Sequence, residues 1–464
     1  MKFYINLKEI LKKFSVRIKI MNYMKIISNL IFTTFMLLIV FTRSFAGLYI
    51  FGFRIGEYLV AGGLLLFIYF VLIPQRDELP EEILSLTKYL FLSFLIVNFF
   101  TYTDLFNRFT YKNSSYLWTV AFIFIGFIFF GEFFTRNKFY ILVAGIMIIY
   151  IFGTGSYPDI FQTTFRIYGD KFTFVKASDM LLAIVVSNII ALNLLSRKSA
   201  NLYFIFSVAM FLPLLIQMSR GTAVAISIFA FLYIIFNLRF YFKLKNLLVL
   251  TLLTPLVFII STFRVTQYNF SDISVDELET VVIQSAPNEL DKIKRVDNRN
   301  SDEINPFWSF YVTDGRLIST DGTFNWRLNI WQDQYEYQKS INKSFFGYGY
   351  NVLLPVFDLQ VDSQNIWNIG HDQQNRHVHN YLVNVYSRGG ILQLILIIGF
   401  HLGIYIYYYK KFNNHRILLM FIPLMFNSMT DITMEGVQFP INFYLIYGYI
   451  LSTGIKSYRE IEVS

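Results

Sequence analysis

The chain has no cysteine, which removes disulfides, thiolate metal sites and a cysteine nucleophile from consideration. Charge is scarce too: Asp, Glu, Lys and Arg make up 15% of the 464 residues, where an ordinary soluble domain approaches about a quarter. An ordinary soluble fold is thereby excluded. The familiar nucleotide and metal signatures are missing: there is no P-loop, no G-x-G-x-x-G after a strand, no H-E-x-x-H and no EF-hand loop. No lipidation motif or soluble targeting signal is visible either. What the chain has is apolar bulk. It is 55% hydrophobic with a mean hydropathy of +0.47, and Phe 52 with Tyr 32 raise the aromatic share to 19%. Ile, Leu and Phe runs of about 15–20 residues recur, most of them long enough as helices to cross roughly 30 Å of hydrocarbon. The bilayer is the solvent of this chain.

Twelve apolar runs qualify as spans: Lys25 to Val40, Ile55 to Ile73, Tyr89 to Tyr102, Tyr116 to Phe134, Phe139 to Phe152, Asp179 to Leu195, Leu202 to Gln217, Gly221 to Asn237, Leu247 to Thr262, Gly390 to Tyr409, Ile417 to Ile432 and Gly436 to Leu451. The formal charge of +9 is read through their order, because Lys and Arg in a membrane protein first set orientation, and no nucleic-acid partner follows from it. With a cytoplasmic N-terminus, every inner segment is short and basic, as in Arg136 with Lys138, Arg197 with Lys198, and Lys410 with Lys411 and Arg416. Even parity then puts both termini inside and the one long insertion outside, and long domains translocate largely regardless of charge. Residues 1–262 thus hold spans one to nine, 263–388 an extracytoplasmic loop domain, and 389–464 the last three spans and a cytoplasmic C-terminus. Arg43-Ser44-Phe45-Ala46 after the first run admits another reading, a signal-peptide cleavage site, although the basic leader is long and the apolar run fuller than a typical one.

The insertion is different material. It is charged, and it carries three of the five histidines and four of the five tryptophans. Ser274 to Arg295 reads as an amphipathic helix broken near Pro287, with Ser274 and Glu277 at capping-box spacing. Thr323 to Ser340 reads as a second helix, because Phe324, Leu328, Trp331 and Tyr335 fall on one face. Gly347-Tyr348-Gly349 is a turn, and the loop closes on His377-Val378-His379-Asn380-Tyr381-Leu382 before Gly389-Gly390.

The string His379-Asn380-Tyr381-Leu382, followed by Gly390 and an apolar helix, resembles the H-N-x-x-L…G signature at the end of the large periplasmic loop of the O-antigen ligase and Wzy-type O-antigen polymerase superfamily. Arg166-Ile167-Tyr168-Gly169 ahead of Asp179 resembles that family's short periplasmic loop with Arg and Gly before a helix. Met218-Ser219-Arg220-Gly221 resembles its S-R-G segment, and Arg327 with Trp331, Gly347 and Gly349 its R…W…G-x-G stretch. The resemblance runs from Arg166 to the C-terminus, with one departure at Gln393, where a second glycine often follows Gly390 and close helix packing is therefore in question. It implies an all-α polytopic integral membrane protein of glycosyltransferase C-like type, with about twelve transmembrane helices and a large, mainly helical outer loop. The implied activity is polymerisation of undecaprenyl-diphosphate-linked repeat units into O-antigen or a related surface polysaccharide at the outer face of a bacterial inner membrane. Membrane lipids and the lipid-linked glycan are the implied partners, with a chain-length regulator protein as a further one. The same likeness leaves open a ligase that sends the glycan to lipid A core. From another class, a flippase would share the spans but would not need a folded outer loop.

The chemistry of such a transfer can be matched to residues. Outside the membrane there is no ATP, so the sugar-phosphate bond itself drives transfer, and the protein must hold a diphosphate leaving group. Arg suits this because its planar fork binds phosphate bidentately, whereas a divalent metal asks for a carboxylate cluster, and no convincing acidic pair stands on the outer side. Arg166, Arg220 and Arg327 are the candidate diphosphate clamps, with no metal or other cofactor expected. His379 is the candidate general base, since imidazole titrates near neutrality. Plainer readings stand beside these. Arg220 could snorkel to headgroups, Arg166 and Arg327 could form loop ion pairs, and His379 could order the loop. Glu435 is a second base or an orienter, or else a helix cap. His371 and His377 with His379 would lack a third well-placed ligand for a metal. Arg54 and Glu57 pair without an assigned role. The Phe and Tyr excess is mostly lipid-facing, although outer aromatics could stack on sugar rings.

Overall fold

In the computed structural model the described residues are 25–72, 79–131, 136–155, 157–169, 175–267, 310–313, 315–319, 322–356 and 378–456. The helix expected over Ser274 to Arg295, together with His371 and His377, lies outside them. Each of the twelve apolar runs contains helix among its described residues. In chain order these are α1 (Lys25–Val40), α2 (Ile55–Leu72), α3 (Glu81–Thr101), α4 (Ser115–Phe130, with 3-10 and π stretches), α5 (Arg136–Gly153), then α6 (Asp159–Tyr168), a short amphipathic helix outside the set. There follow α7 (Ala177–Leu194), α8 (Arg197–Met218), α9 (Arg220–Phe236) and α10 (Leu244–Gln267), the loop helix α11 (Gly322–Ser340), and finally α12 (Tyr381–Phe412), α13 (Leu418–Ser428) and α14 (Gln438–Thr453). Among the described residues five helices, α3, α5, α7, α8 and α12, are long and apolar enough to cross a membrane. α7 is buried along almost its whole length and forms the axis of the bundle, with α5, α8, α9, α13 and α14 around it.

The segments between the long helices are less purely helical than expected. Among the described residues two antiparallel hairpins appear, β1 (Tyr49–Ile50) with β2 (Phe53–Arg54) between α1 and α2, and β3 (Phe310–Thr313) with β4 (Arg316–Ser319) in the loop between α10 and α12, the second packing on α11. α11 forms where the 3.6 periodicity places it, but its buried side is set differently. Leu328, Ile330, Gln334 and Gln338 are buried, whereas Tyr335 is 54% exposed. The glutamines are inside because Gln338 donates through Nε2 to the carbonyls of Lys343 and Tyr386, both at 3.0 Å, and Gln334 donates to Gln338. Polar residues that find a hydrogen-bond partner inside can occupy a face that a hydrophobic stripe alone does not predict.

α12 is 32 residues long, about 48 Å at helical rise, well beyond the roughly 30 Å hydrocarbon layer. It breaks at Gly390, whose φ of 67° and ψ of −167° lie in a region essentially reserved for glycine. The freed amides are satisfied from outside: Ile391 donates to the Ser344 carbonyl at 2.9 Å and Leu392 to that of Phe345 at 3.3 Å. In return the Tyr348 and Gly349 amides donate to the carbonyls of Ser387 and Arg388, both at 2.9 Å. The Gly347 to Gly349 turn is thereby threaded into the break, and buried Arg388 ties it further by donating to the Gly349 and Val352 carbonyls. The packing that Gln393 put in question is close. Its amide is fully buried, with Oε1 accepting from the Tyr116 hydroxyl at 2.5 Å and Nε2 donating to that of Tyr350 at 2.7 Å.

Candidate active site

The span expected from Ile417 to Ile432 ends as helix at Ser428, and the remainder is a turn that organises everything around it. Side chains terminate the helix. Ser428 Oγ donates to the Met425 carbonyl at 2.7 Å and Thr430 Oγ1 to that of Asn427 at 3.1 Å, while the Asp431 side chain accepts from the Ile432 amide at 2.8 Å. Such local bonds compete with the helical ladder.

Four distant segments dock on this turn. Arg43, in the short helix Thr42–Ala46 after α1, donates through Nη2 to the Ile432 carbonyl at 2.5 Å. Arg327 of α11 donates to the Thr430 carbonyl. The start of α9 fits against it with Gly221, where an added Cβ would stand 2.8 Å from Thr430 Oγ1, and with Thr222 Oγ1, which donates to Asn427 Oδ1 at 2.8 Å. Ser219 caps that helix, so Arg220 occupies its first position beside the turn. The fourth is the segment carrying His379, which Glu435 receives: its Oε1 accepts from the Asn380 amide at 3.1 Å. Glu435 does not cap α14, whose N-cap is Val437. Its carboxylate instead fixes the backbone next to the histidine.

His379 is held in a left-handed conformation, φ 57°, immediately before the Asn380 cap, whose Oδ1 accepts from the Leu382 and Val383 amides. This conformation is uncommon but tolerated by histidine, and it costs roughly 1–3 kcal/mol, so the surroundings must enforce it. α11 supplies the enforcement. Trp331 Nε1 donates to the Val378 carbonyl at 2.6 Å, and the Trp326 ring stands edge-on to the imidazole with centroids 5.1 Å apart. Trp326, Arg327 and Trp331 thus work from one helix on both the histidine and the turn.

Asp431 is the electrostatic centre. Burial would raise its carboxyl, but Lys176, Arg327, Arg43 and His379 together hold it well below the usual carboxylate range. Lys176, at the N-cap of α7, is pulled down to about 8 by the nearby Arg43 charge and by burial, against the opposing pull of Asp431 and Asp179. Arg43, Lys176 and Arg327 therefore stand around Asp431 and Asp179, with the His379 imidazole beside them. The Nε atoms of Arg43 and Arg327 are buried and have no hydrogen-bond partner among the described residues. Those two N–H groups and the Lys176 ammonium are what an anion with several oxygens would satisfy. Among the described residues, no group of three or more His, Asp or Glu side chains is placed to hold a metal ion.

Residues 205–398 match the O-antigen ligase family model, Wzy_C. The matched segment contains Arg220, Arg327 and His379, and it ends within α12 beyond the Gly390 break. The match is consistent with the Wzy and O-antigen ligase superfamily, a glycosyltransferase-like group of enzymes, and supports a function of the O-antigen ligase or polymerase type. With the apolar helices it makes the chain an integral membrane protein. No curated protein matches the chain.

The structure brings together four of the five residues singled out from sequence: Arg220, Arg327, His379 and Glu435 all border the turn. Arg166 stands elsewhere, exposed on the last turn of α6, while its neighbour Phe165 is buried against Phe41. Sequence reasoning missed Arg43, Lys176 and Asp431. A signal for them existed: Arg43 and Lys176 are cations in short segments assigned to the outside, against the usual bias, and Asp431 is a carboxylate at the end of an apolar run. Arg43 was instead absorbed into a cleavage-site pattern, and Asp431 into a span.

Proposed function

We propose that this chain polymerises polyprenyl-diphosphate-linked oligosaccharide repeat units at the outer face of a bacterial cytoplasmic membrane, with twelve spans and both termini inside. The observation that carries the reading is the turn at residues 430–435, where the Nε–H groups of Arg43 and Arg327, without a partner among the described residues, and the charged Lys176 stand beside His379 and Asp431. The hydroxyl oxygen of an acceptor sugar attacks the anomeric carbon of the donor. The bond from that carbon to the diphosphate oxygen breaks, and its electron pair leaves on the diphosphate. Arg43, Lys176 and Arg327 hold the leaving group by charge-assisted bonds that strengthen as its charge develops. His379 takes the hydroxyl proton, and the ionised Asp431 stabilises the imidazolium so formed. Glu435 and Trp326 orient the histidine. In this arrangement Arg43 and Lys176 join Arg327 in the diphosphate clamp, Arg220 flanks it, and Arg166 lies outside it.

A ligase would use the same donor and the same chemistry, and the description of the matching family favours it. Polymerase is preferred because the Phe, Tyr, Ile and Asn-rich composition is like that of proteins encoded in polysaccharide clusters. Deleting the gene and resolving the surface glycolipids by electrophoresis tests the choice. A single repeat left on the acceptor with loss of the ladder is the expected result. Loss of all attached glycan while polymer persists on its carrier would make it a ligase, and repeat units trapped on the inner leaflet would overturn both in favour of a flippase.

A further inference from the structure

Beside the charged turn lie two buried polar groups that the transfer step leaves unused. Asp179 is the third residue of α7, and its amide donates to the Lys176 carbonyl at 3.1 Å. Its side chain is 7% exposed, and the charges around it are those of Arg43, Lys176 and Asp431. The second group is Gln438, the first residue of α14, which comes up to Asp179 from the other end of the turn and is 3% exposed. Its amide is folded back toward the turn, so that a Cβ added at Gly436 would stand 3.3 Å from Gln438 Oε1. Neither side chain has its bonding complete. Among the described residues Asp179 Oδ2 has no hydrogen-bond partner, and neither has Gln438 Nε2. A buried acceptor and a buried donor left open side by side are costly, and what relieves both at once is a group that donates and accepts.

That requirement decides which part of a lipid-linked glycan the pair can face. An ionised diphosphate offers acceptor oxygens only. It suits the Nε–H groups of Arg43 and Arg327 and the Lys176 ammonium, but it would meet the Asp179 carboxylate as one negative charge meets another. A sugar hydroxyl gives its hydrogen to a carboxylate oxygen and takes one from an amide N–H. Because Asp179 borders Arg43 and Lys176, the sugar within its reach is the one bonded to the diphosphate that those cations hold. We propose that Asp179 and Gln438 are specificity-determining residues that bind one hydroxyl of the diphosphate-linked sugar, Asp179 accepting from it and Gln438 donating to it. The inference rests on the transfer reading above and deepens it: the cations grip the leaving group, and this pair selects the sugar that is transferred. A donor lacking that hydroxyl would leave both buried groups open, which is how a polar pocket rejects a deoxy analogue more strongly than an apolar pocket rejects an extra methylene.

The test uses full-length protein in liposomes and synthetic undecaprenyl-diphosphate-linked repeat units in which the hydroxyls of the diphosphate-linked sugar are replaced by hydrogen one at a time. The lipid of each is labelled, so that release of free undecaprenyl diphosphate reports its use as donor, and unmodified, unlabelled units serve as acceptor. Wild-type kcat/KM is expected to fall at least about tenfold for one deoxy donor and little for the others. Asp179→Ala should bring the ratio between the unmodified donor and that deoxy donor close to one, and Gln438→Leu should reduce it at the same position. Effects of either substitution on the cation clamp act on both donors alike and cancel in the ratio, as in a double-mutant cycle. A preference for the hydroxyl that survives unchanged in both variants would overturn the proposal and leave the transfer reading intact. Equal use of every deoxy donor by the wild-type protein would do the same, whether or not the variants fold. Wild-type protein that released no lipid from the unmodified donor would overturn both.

Discussion

Lys176 is the group through which pH should reach substrate binding. Its ammonium is pulled down to about 8, chiefly by Arg43 and burial, so it loses its proton within the range where the enzyme can be assayed. If the charged form is the one that holds the diphosphate, apparent affinity scales with the protonated fraction. That fraction is about nine-tenths at pH 7 and about one-tenth at pH 9, so KM for the lipid-linked donor should rise roughly tenfold over those two units. The sign separates this from denaturation. A lysine whose value is lower in the fold than its unfolded value of about 10.4 binds fewer protons folded than unfolded between those two values, so this group makes the fold more stable as pH rises through that window. Affinity should therefore fall while thermal stability does not fall on account of this residue. Lys176→Arg keeps its charge throughout, since guanidinium does not deprotonate in this range, and should flatten the KM profile. The assay is initial rate against donor concentration with purified protein in liposomes at pH 6.5 to 9.5. A wild-type KM constant across pH 7 to 9, or the same rise in the Lys176→Arg protein, would refute Lys176 as a diphosphate ligand.

The other expectations concern the same turn. His379→Gln keeps hydrogen bonding but cannot accept a proton at neutral pH, and should cost about 100-fold to 10,000-fold in kcat with little change in KM; wild-type turnover by that protein would send the search for the base elsewhere. Asp431→Asn leaves Arg43, Lys176 and Arg327 facing one another without their shared counter-ion, and should lower kcat and also raise the Lys176 dependence on pH, read as a downward shift of the KM inflection; an unshifted inflection would show the carboxylate to be a bystander. Arg327→Lys preserves charge but not the fork, and should recover only part of the polymer lost in Arg327→Ala, read as ladder length on glycolipid gels. Gly390→Ala places a Cβ against the Phe345 carbonyl at a glycine-only conformation and loosens two loop-to-helix bonds, which adds to about 2–6 kcal/mol from strain and lost hydrogen bonding; an unchanged melting temperature in detergent would contradict the interlock.

How much of this was legible in the sequence depended on which force dominates at each place. Apolar bulk decides where helices form, and each of the twelve apolar runs contains helix among its described residues, as a backbone removed from water satisfies its own bonds. The ends of those helices are decided by single polar side chains. α13 stops four residues early because Ser428, Thr430 and Asp431 bind the backbone locally, and hydropathy averaged over a window does not register such contacts. α12 reads as a span from Gly390, but the helix begins nine residues earlier at Tyr381, because Asn380 caps it and the loop turn heals its break. On α11 the spacing located the helix but not its buried face, because glutamines with internal partners behave like core residues.

Within the site the same division holds, and it explains why three residues were overlooked. His379, Arg220 and Arg327 carried a recognisable local context, a cap, a small residue or a tryptophan one turn on. Arg43, Lys176 and Asp431 have no such neighbours; each is a single charge next to an apolar run, and its meaning lies in the others. Apart in the unfolded chain, the two cations only weaken the orientation signal and the carboxylate only interrupts a span. Brought to one turn, they become mutually stabilising, since Asp431 stays ionised among cations that would otherwise repel one another. Ends of α1, α7, α9, α12 and α13 meet α11 at that turn, so a charge that each helix end could not justify alone is compensated by its neighbours. A cation in a short outer segment of a membrane chain is then better read as half of a site whose other half lies at a different helix end than as noise in the orientation rule.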